Sequence, residues 1–221
     1  MVAQLDWREA YRIIPSIYPP VGIFDEVASP ADLEAVLALE SATNPRLLAE
    51  AGELSLVRPE ERISGEGSTP IMAAFTHTKA SRFSDGSYGV YYAAHDQQTA
   101  IAETAYHRLR FINDAGLRSE IVHMRVYGAR IRGEYDDVRA KSARAKIYDP
   151  VNLSYAQHYA RRLFEENRVD GILFRSVRRS AGECVAAFRP RCVSECRVLR
   201  HLQYRFEDGR FVGALEITVE A

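Results

Sequence analysis

Residues 81–110 read SRFSDGSYGVYYAAHDQQTAIAETAYHRLR, and the rest of the chain is arranged around them. The stretch has three parts. SRFSDGSYG is a polar turn opened by Arg82, with two glycines that relax the backbone. VYYAA, rich in β-branched and aromatic residues, predicts a short strand. TAIAETAYHRLRF predicts a helix, with Thr99 as its N-cap and Ala100, Ile101, Ala105, Tyr106 and Leu109 on its apolar side. An arginine turn thus feeds a strand, and the strand feeds a helix with Glu103 in its expected first turn.

Glu103 stands out because its neighbours, AIAETAY, are small and apolar. A carboxylate near a packed surface needs a partner or a shifted pKa. The plainer reading is a first-turn glutamate favoured by the helix dipole.

Moving outward, residues 1–54 are expected to be an extension packed on the main domain, which occupies 55–221. RIIPSIYPPVGIFDEV, with three prolines, reads as extended chain with turns. SPADLEAVLALESA predicts a helix capped by Ser29 with Pro30 at its first position, and NPRLLAEAG a second, closed by Gly52. Residues 53–80 read as loops around one short apolar segment, IMAAF. Beyond the central stretch, SEIVHMRVYGARI alternates as one or two strands, and NLSYAQHYARRLFEENRVDG predicts a helix. GILFRSVR and ECVAAFRP are strand candidates, and RFEDGRFV predicts a hairpin around Asp208-Gly209. A few helices among many short strands, with no sustained strand–helix alternation, predict an α+β fold with a mixed or mostly antiparallel sheet.

Composition excludes several functions. A net charge of −1 gives no global field for nucleic acid, and no apolar run is long enough to span a bilayer. The first residues, MVAQLDWREAYR, lack the basic start and apolar core of a signal peptide. Cys184, Cys192 and Cys196, an odd number late in the chain, fit a reducing compartment, so the expected location is the cytoplasm. There is no GxGxxG after a strand, no phosphate-loop motif, no HExxH and no GxSxG elbow. Glu103 and His107 are four apart, a spacing more often an ordinary helix pair than a metal site, and no metal is expected. Arg175, Arg178 and Arg179 suggest either phosphate contacts or, more commonly, a solvated rim.

What remains is a polar set in four segments: Arg62, Arg82, Glu103 and Ser154, with tyrosines at 88, 91 and 92. Arginines grip a pyrophosphate bidentately, and a tyrosine stacks on a flat heteroaromatic ring. A carboxylate beside that ring stabilises the positive charge that develops on a sugar as its base departs. The set suits cleavage of an N-glycosidic bond in a dinucleotide.

The order and spacing of these residues resemble the RES domain, the toxin half of bacterial RES–Xre toxin–antitoxin pairs. RF at 82–83 resembles the family's arginine turn, with Ser81 and Phe83 in place of its glycine and tryptophan. VYYAAHDQQTAIAE resembles its tyrosine strand and glutamate helix, placing the family tyrosine at Tyr92 and the glutamate at Glu103. Arg62 matches the first arginine, with Arg58 as its rival and Ile63 where a tyrosine often follows. LSYAQHYARRLFEENRVDGILFRSV resembles the later serine helix and strand, placing the family serine at Ser154, with Ser176 competing. The resemblance covers about residues 55–200.

The resemblance implies an ADP-ribosyltransferase-like fold and NAD+ as substrate. It further implies an Xre-type antitoxin with a helix-turn-helix domain as partner, and a protein target if ADP-ribose is transferred. On this reading Arg62 and Arg82 hold the phosphates or ribose edge, Tyr92 with Tyr91 lines the nicotinamide pocket, Glu103 stabilises the ribosyl cation, and Ser154 bonds the ribose or the glutamate. The alternative is a non-catalytic module whose arginine-lined pocket holds a nucleotide.

Overall fold

A computed structural model of the protein describes residues 1–16, 22, 24, 25, 51–142 and 145–218. The two helices expected at 29–42 and 44–52 fall largely or wholly outside the described residues. Seven strands form one mixed sheet, and three α-helices flank it among the described residues. The strands are β1 (Val2–Pro15), β2 (Tyr91–Ala94), β3 (Glu120–Asp137), β4 (Gly171–Arg175), β5 (Glu183–Ala187), β6 (Val193–Glu207) and β7 (Arg210–Ile217). The helices are α1 (Ser68–Thr76), α2 (Gln97–Asp114) and α3 (Ser154–Glu166). The α+β class expected from the sequence is the class observed.

The strand order is β1-β2-β5-β4-β3-β6-β7, and β1 also pairs with β3. Those pairings close a circuit from β1 through β2, β5, β4 and β3 back to β1. Among the described residues only β3 and β4 run parallel; every other ladder is antiparallel. The region expected as an extension therefore begins inside the sheet. β1 lies along β3 from Val2 opposite Asp136 to Pro15 opposite Met124.

The central strands are apolar on both sides, and their alternation sorts residues between two cores. Tyr91, Ala93, Leu173, Val185 and Ala187 join the cluster under α1, built with Ile71, Met72 and Phe75. Tyr92, Ala94, Phe174, Cys184 and Ala186 join the cluster under α2 and α3, built with Ala100, Ala105, Ala156 and Ala160. Small residues on the inner faces of α2 and α3 let these helices approach the sheet closely. All three cysteines are buried free thiols.

Three local expectations are revised. IMAAF is not isolated in loops but forms most of α1, because Pro70 occupies the first turn, where its missing N–H costs nothing. The N-cap of α2 is Asp96 rather than Thr99, its carboxylate accepting from the Thr99 N–H at 2.9 Å. The helix that carries Ser154 ends at Glu166, with Asn167 in the left-handed region. The Asp208-Gly209 hairpin forms as expected, with φ of 47° and 69°, the paired positive values of a type I′ turn.

Candidate active site

A cavity of about 460 Å³ opens between α2 and the sheet, lined from β1, the 80–82 turn, β2, α2, the 150–153 loop and the segment from Phe174 to Cys184. Among the described residues Glu103 is the one carboxylate that lines it. Four arginines share it: Arg12, Arg82, Arg110 and Arg178. Tyr92 and Tyr106 supply aromatic wall, and Thr104 and His107 supply further polar groups.

Because α2 begins at Gln97, Glu103 stands in the second turn, and no acidic residue occupies the first. The helix dipole therefore does not account for it. What holds it is Ser176, whose hydroxyl donates to Glu103 Oε1 at 2.6 Å. The same Ser176 oxygen accepts the backbone N–H groups of Arg178 and Arg179, each at 3.0 Å. With both lone-pair positions taken, its proton is left for the carboxylate. Arg179 ties this loop to the start of α2, donating to Asp96 Oδ2 at 3.2 Å and to Thr99 Oγ1 at 3.0 Å.

The arginine turn is held from beneath by Tyr92. The Tyr92 hydroxyl accepts the Phe83 N–H at 3.0 Å and shares a hydrogen bond with Ser81 Oγ at 2.9 Å. Gln157 of α3 donates to Ser81 O at 2.9 Å. Arg82 Nη1 donates to the carbonyls of Ile147 and Asp149, both at 3.0 Å, which fixes one end of the guanidinium while the side chain lines the cavity. Desolvation lowers the Arg82 pKa, the Glu103 charge offsets only part of that, and an arginine so placed stays cationic. Burial raises the Tyr92 pKa, so its phenol stays protonated at neutral pH.

Of the residues expected at the site, Glu103, Arg82 and Tyr92 come together. Tyr91 does not join them: strand alternation turns it to the opposite face, where it is fully buried with its hydroxyl 4.0 Å from Cys196 Sγ. Arg62 is also elsewhere. It is 8% exposed and donates to Val57 O at 3.0 Å and Leu54 O at 3.3 Å, anchoring the loop before α1. Its rival Arg58 is exposed and lines no part of the cavity. Ser154 sits exposed at the start of α3, outside the cavity, whereas the competing Ser176 bonds Glu103 directly.

Sequence reasoning missed Arg12. It projects from β1, donates to Tyr92 O at 3.1 Å and lies 4.8 Å over the Tyr91 ring. Its only sequence signal was a lone cation in the apolar run YRII. Of the three arginines in the basic run at 175–179, Arg178 alone lines the cavity.

Comparison with known proteins gives three results. The RES domain family matches residues 59–207. The uncharacterized protein y4oC of Sinorhizobium fredii is 26% identical over 200 residues, covering 90% of this chain and 82% of its own length. Among solved structures, the chain is similar to the crystal structure of the M. tuberculosis MbcT-MbcA toxin-antitoxin complex, at 10% identity and a TM-score of 0.45, over 90% of this chain and 86% of that one.

Proposed function

The chain belongs to the RES domain family, and from that premise we propose that it is the toxin of a bacterial toxin–antitoxin pair and cleaves the nicotinamide–ribose bond of NAD+. One observation carries this reading: a single carboxylate, fixed by a serine hydroxyl, facing a cavity of about 460 Å³ with four arginines in its wall. The arginine excess suits a pyrophosphate, and the carboxylate suits a sugar that becomes cationic.

In the proposed reaction Arg82 and Arg12 draw the phosphates and ribose edge into place. Tyr92 forms wall beside the nicotinamide and keeps the Arg82 turn in shape. As the glycosidic bond breaks, nicotinamide leaves with the bonding pair and becomes neutral, and positive charge appears at the ribose C1′. Glu103 stabilises that charge, and Ser176 keeps its carboxylate aimed. Water then adds at C1′ and releases a proton, giving ADP-ribose; a protein side chain as acceptor gives an ADP-ribosylated target instead. The leaving group already carries a positive charge, so the chemistry calls for no metal. An activity of this kind acts on the cytoplasmic NAD+ pool and needs restraint, the role assigned here to an Xre-type antitoxin with a helix-turn-helix domain.

The test is incubation with NAD+ followed by mass spectrometry of small molecules and proteins. Nicotinamide release is expected, with ADP-ribose or an ADP-ribosyl adduct as its companion. Glu103→Gln keeps the shape and removes the charge, and turnover should fall on the order of a hundredfold or more. Binding of NAD+ without nicotinamide release would instead establish a non-catalytic nucleotide module.

A further inference from the structure

The three arginines at 175–179 do different things. Arg175 donates to Lys141 O and lies 5.6 Å over the Tyr148 ring. Arg179 bonds Asp96 and Thr99. Arg178 turns into the cavity and lays its guanidinium on Tyr106, with Cζ 3.3 Å from the ring centroid. Tyr106 lines the same cavity three residues after Glu103, on the same side of α2.

The Arg178 arrangement is incomplete in one respect. Its Nε is buried and finds no hydrogen-bond acceptor among the described residues. Buried guanidinium donors are ordinarily used, and a ring face only partly replaces an oxygen acceptor. Glu103, the one carboxylate among the described lining residues, is held by Ser176 through Oε1 and makes no hydrogen bond to the Arg178 Nε. The side chain is held in place at its root, however, because the Arg178 N–H is bonded to Ser176 Oγ and the adjacent Arg179 is tied to α2. Such a side chain can swing without moving the backbone that positions Glu103.

We infer that Arg178 is a substrate-recognition residue, parked on Tyr106 in this structure, that transfers to the pyrophosphate of a bound dinucleotide and leaves the Tyr106 face to a flat ring of the same ligand. The unmet Nε–H then gains an anionic oxygen, and one planar partner on Tyr106 replaces another. The inference rests on the dinucleotide reading above and adds to it the residue pair that distinguishes a pyrophosphate ligand from a mononucleoside.

Calorimetry with ADP-ribose and with inorganic pyrophosphate, at several salt concentrations, tests the pair. Arg178→Gln is expected to weaken ADP-ribose about tenfold or more and to flatten the salt dependence of binding, with Arg178→Lys recovering part of both. Tyr106→Leu removes the parking place, so it should weaken ADP-ribose while strengthening inorganic pyrophosphate. Wild-type protein that binds neither NAD+ nor ADP-ribose overturns the dinucleotide reading and this inference together. Wild-type binding with Arg178→Gln equally tight, or weakened with an unchanged salt dependence, overturns the inference alone. Tyr106→Leu that weakens both ligands equally also overturns it, since the ring would then act by packing.

Discussion

Ser176 and Ser154 illustrate what a single residue type means in two settings. Ser176 donates a hydrogen bond to Glu103 and accepts two backbone N–H groups, while Ser154 is exposed at a helix start. Ser176→Ala should lower turnover on the order of ten- to a hundredfold, through a misaimed carboxylate and a loosened loop, and Ser154→Ala should leave it unchanged. Steady-state kinetics of the two variants side by side check this, and the reverse order of effects would reject the assignment. Arg62 makes a second contrast. Because it holds the carbonyls of Val57 and Leu54 from a buried position, Arg62→Ala should cost about 1–3 kcal/mol in denaturant unfolding while ligand affinity per folded molecule stays the same. Lost affinity at an unchanged midpoint would return Arg62 to the site. Glu103, Arg82 and Tyr92 were legible from sequence because one turn–strand–helix run places all three. Arg12 was not, because its nearness to Tyr92 exists only once β1 and β2 meet at Tyr11 and Ala94.

The turn–strand–helix unit works as a whole. Tyr92 sits on β2, yet its hydroxyl organises the preceding turn, and Asp96 caps the following helix while receiving Arg179 from the loop that carries Ser176. Tyr92→Phe keeps the ring and strands the Phe83 N–H in a buried place, at a cost of about 1–3 kcal/mol. The Arg82 turn should loosen, so KM for NAD+ is expected to rise more than kcat falls, and hydrogen exchange at Phe83 should quicken. Unchanged exchange would mean that the turn is held chiefly by Gln157 and by Tyr88, whose hydroxyl donates to Phe83 O at 2.6 Å. At this scale the sequence predicted β2, the long helix, β4, β5 and the terminal hairpin, all of which carry local signals: alternation, a 3.6-residue period or Asp-Gly. It missed α1, where glycines and Pro70 outweighed the five-residue apolar segment IMAAF, and it placed the cap of α2 three residues late because Asp96 and Thr99 are both capping residue types. It also read β1 as part of an extension, since a strand's place in a sheet depends on partners far along the chain.

The whole molecule depends on that first strand. β1 pairs with β3 through most of its length and contributes buried Leu5, Ala10 and Ile13 to the two cores. A fragment beginning at residue 55 keeps the entire stretch matched by the RES family, yet leaves one side of β3 open and removes Arg12 from the cavity. Such a fragment should not unfold cooperatively by circular dichroism and should not bind NAD+; a sharp melt with retained binding would show that the circuit can close without β1. The closed circuit also sets a clock. β1 leaves the ribosome well before its long partner β3 and the serine that aims Glu103, and pairings so distant in sequence form slowly. The cavity therefore cannot assemble on a growing chain until the residues from Tyr11 to Cys184 have all emerged, and on the proposed reading that delay leaves an interval in which a restraining partner can be made before there is anything to restrain.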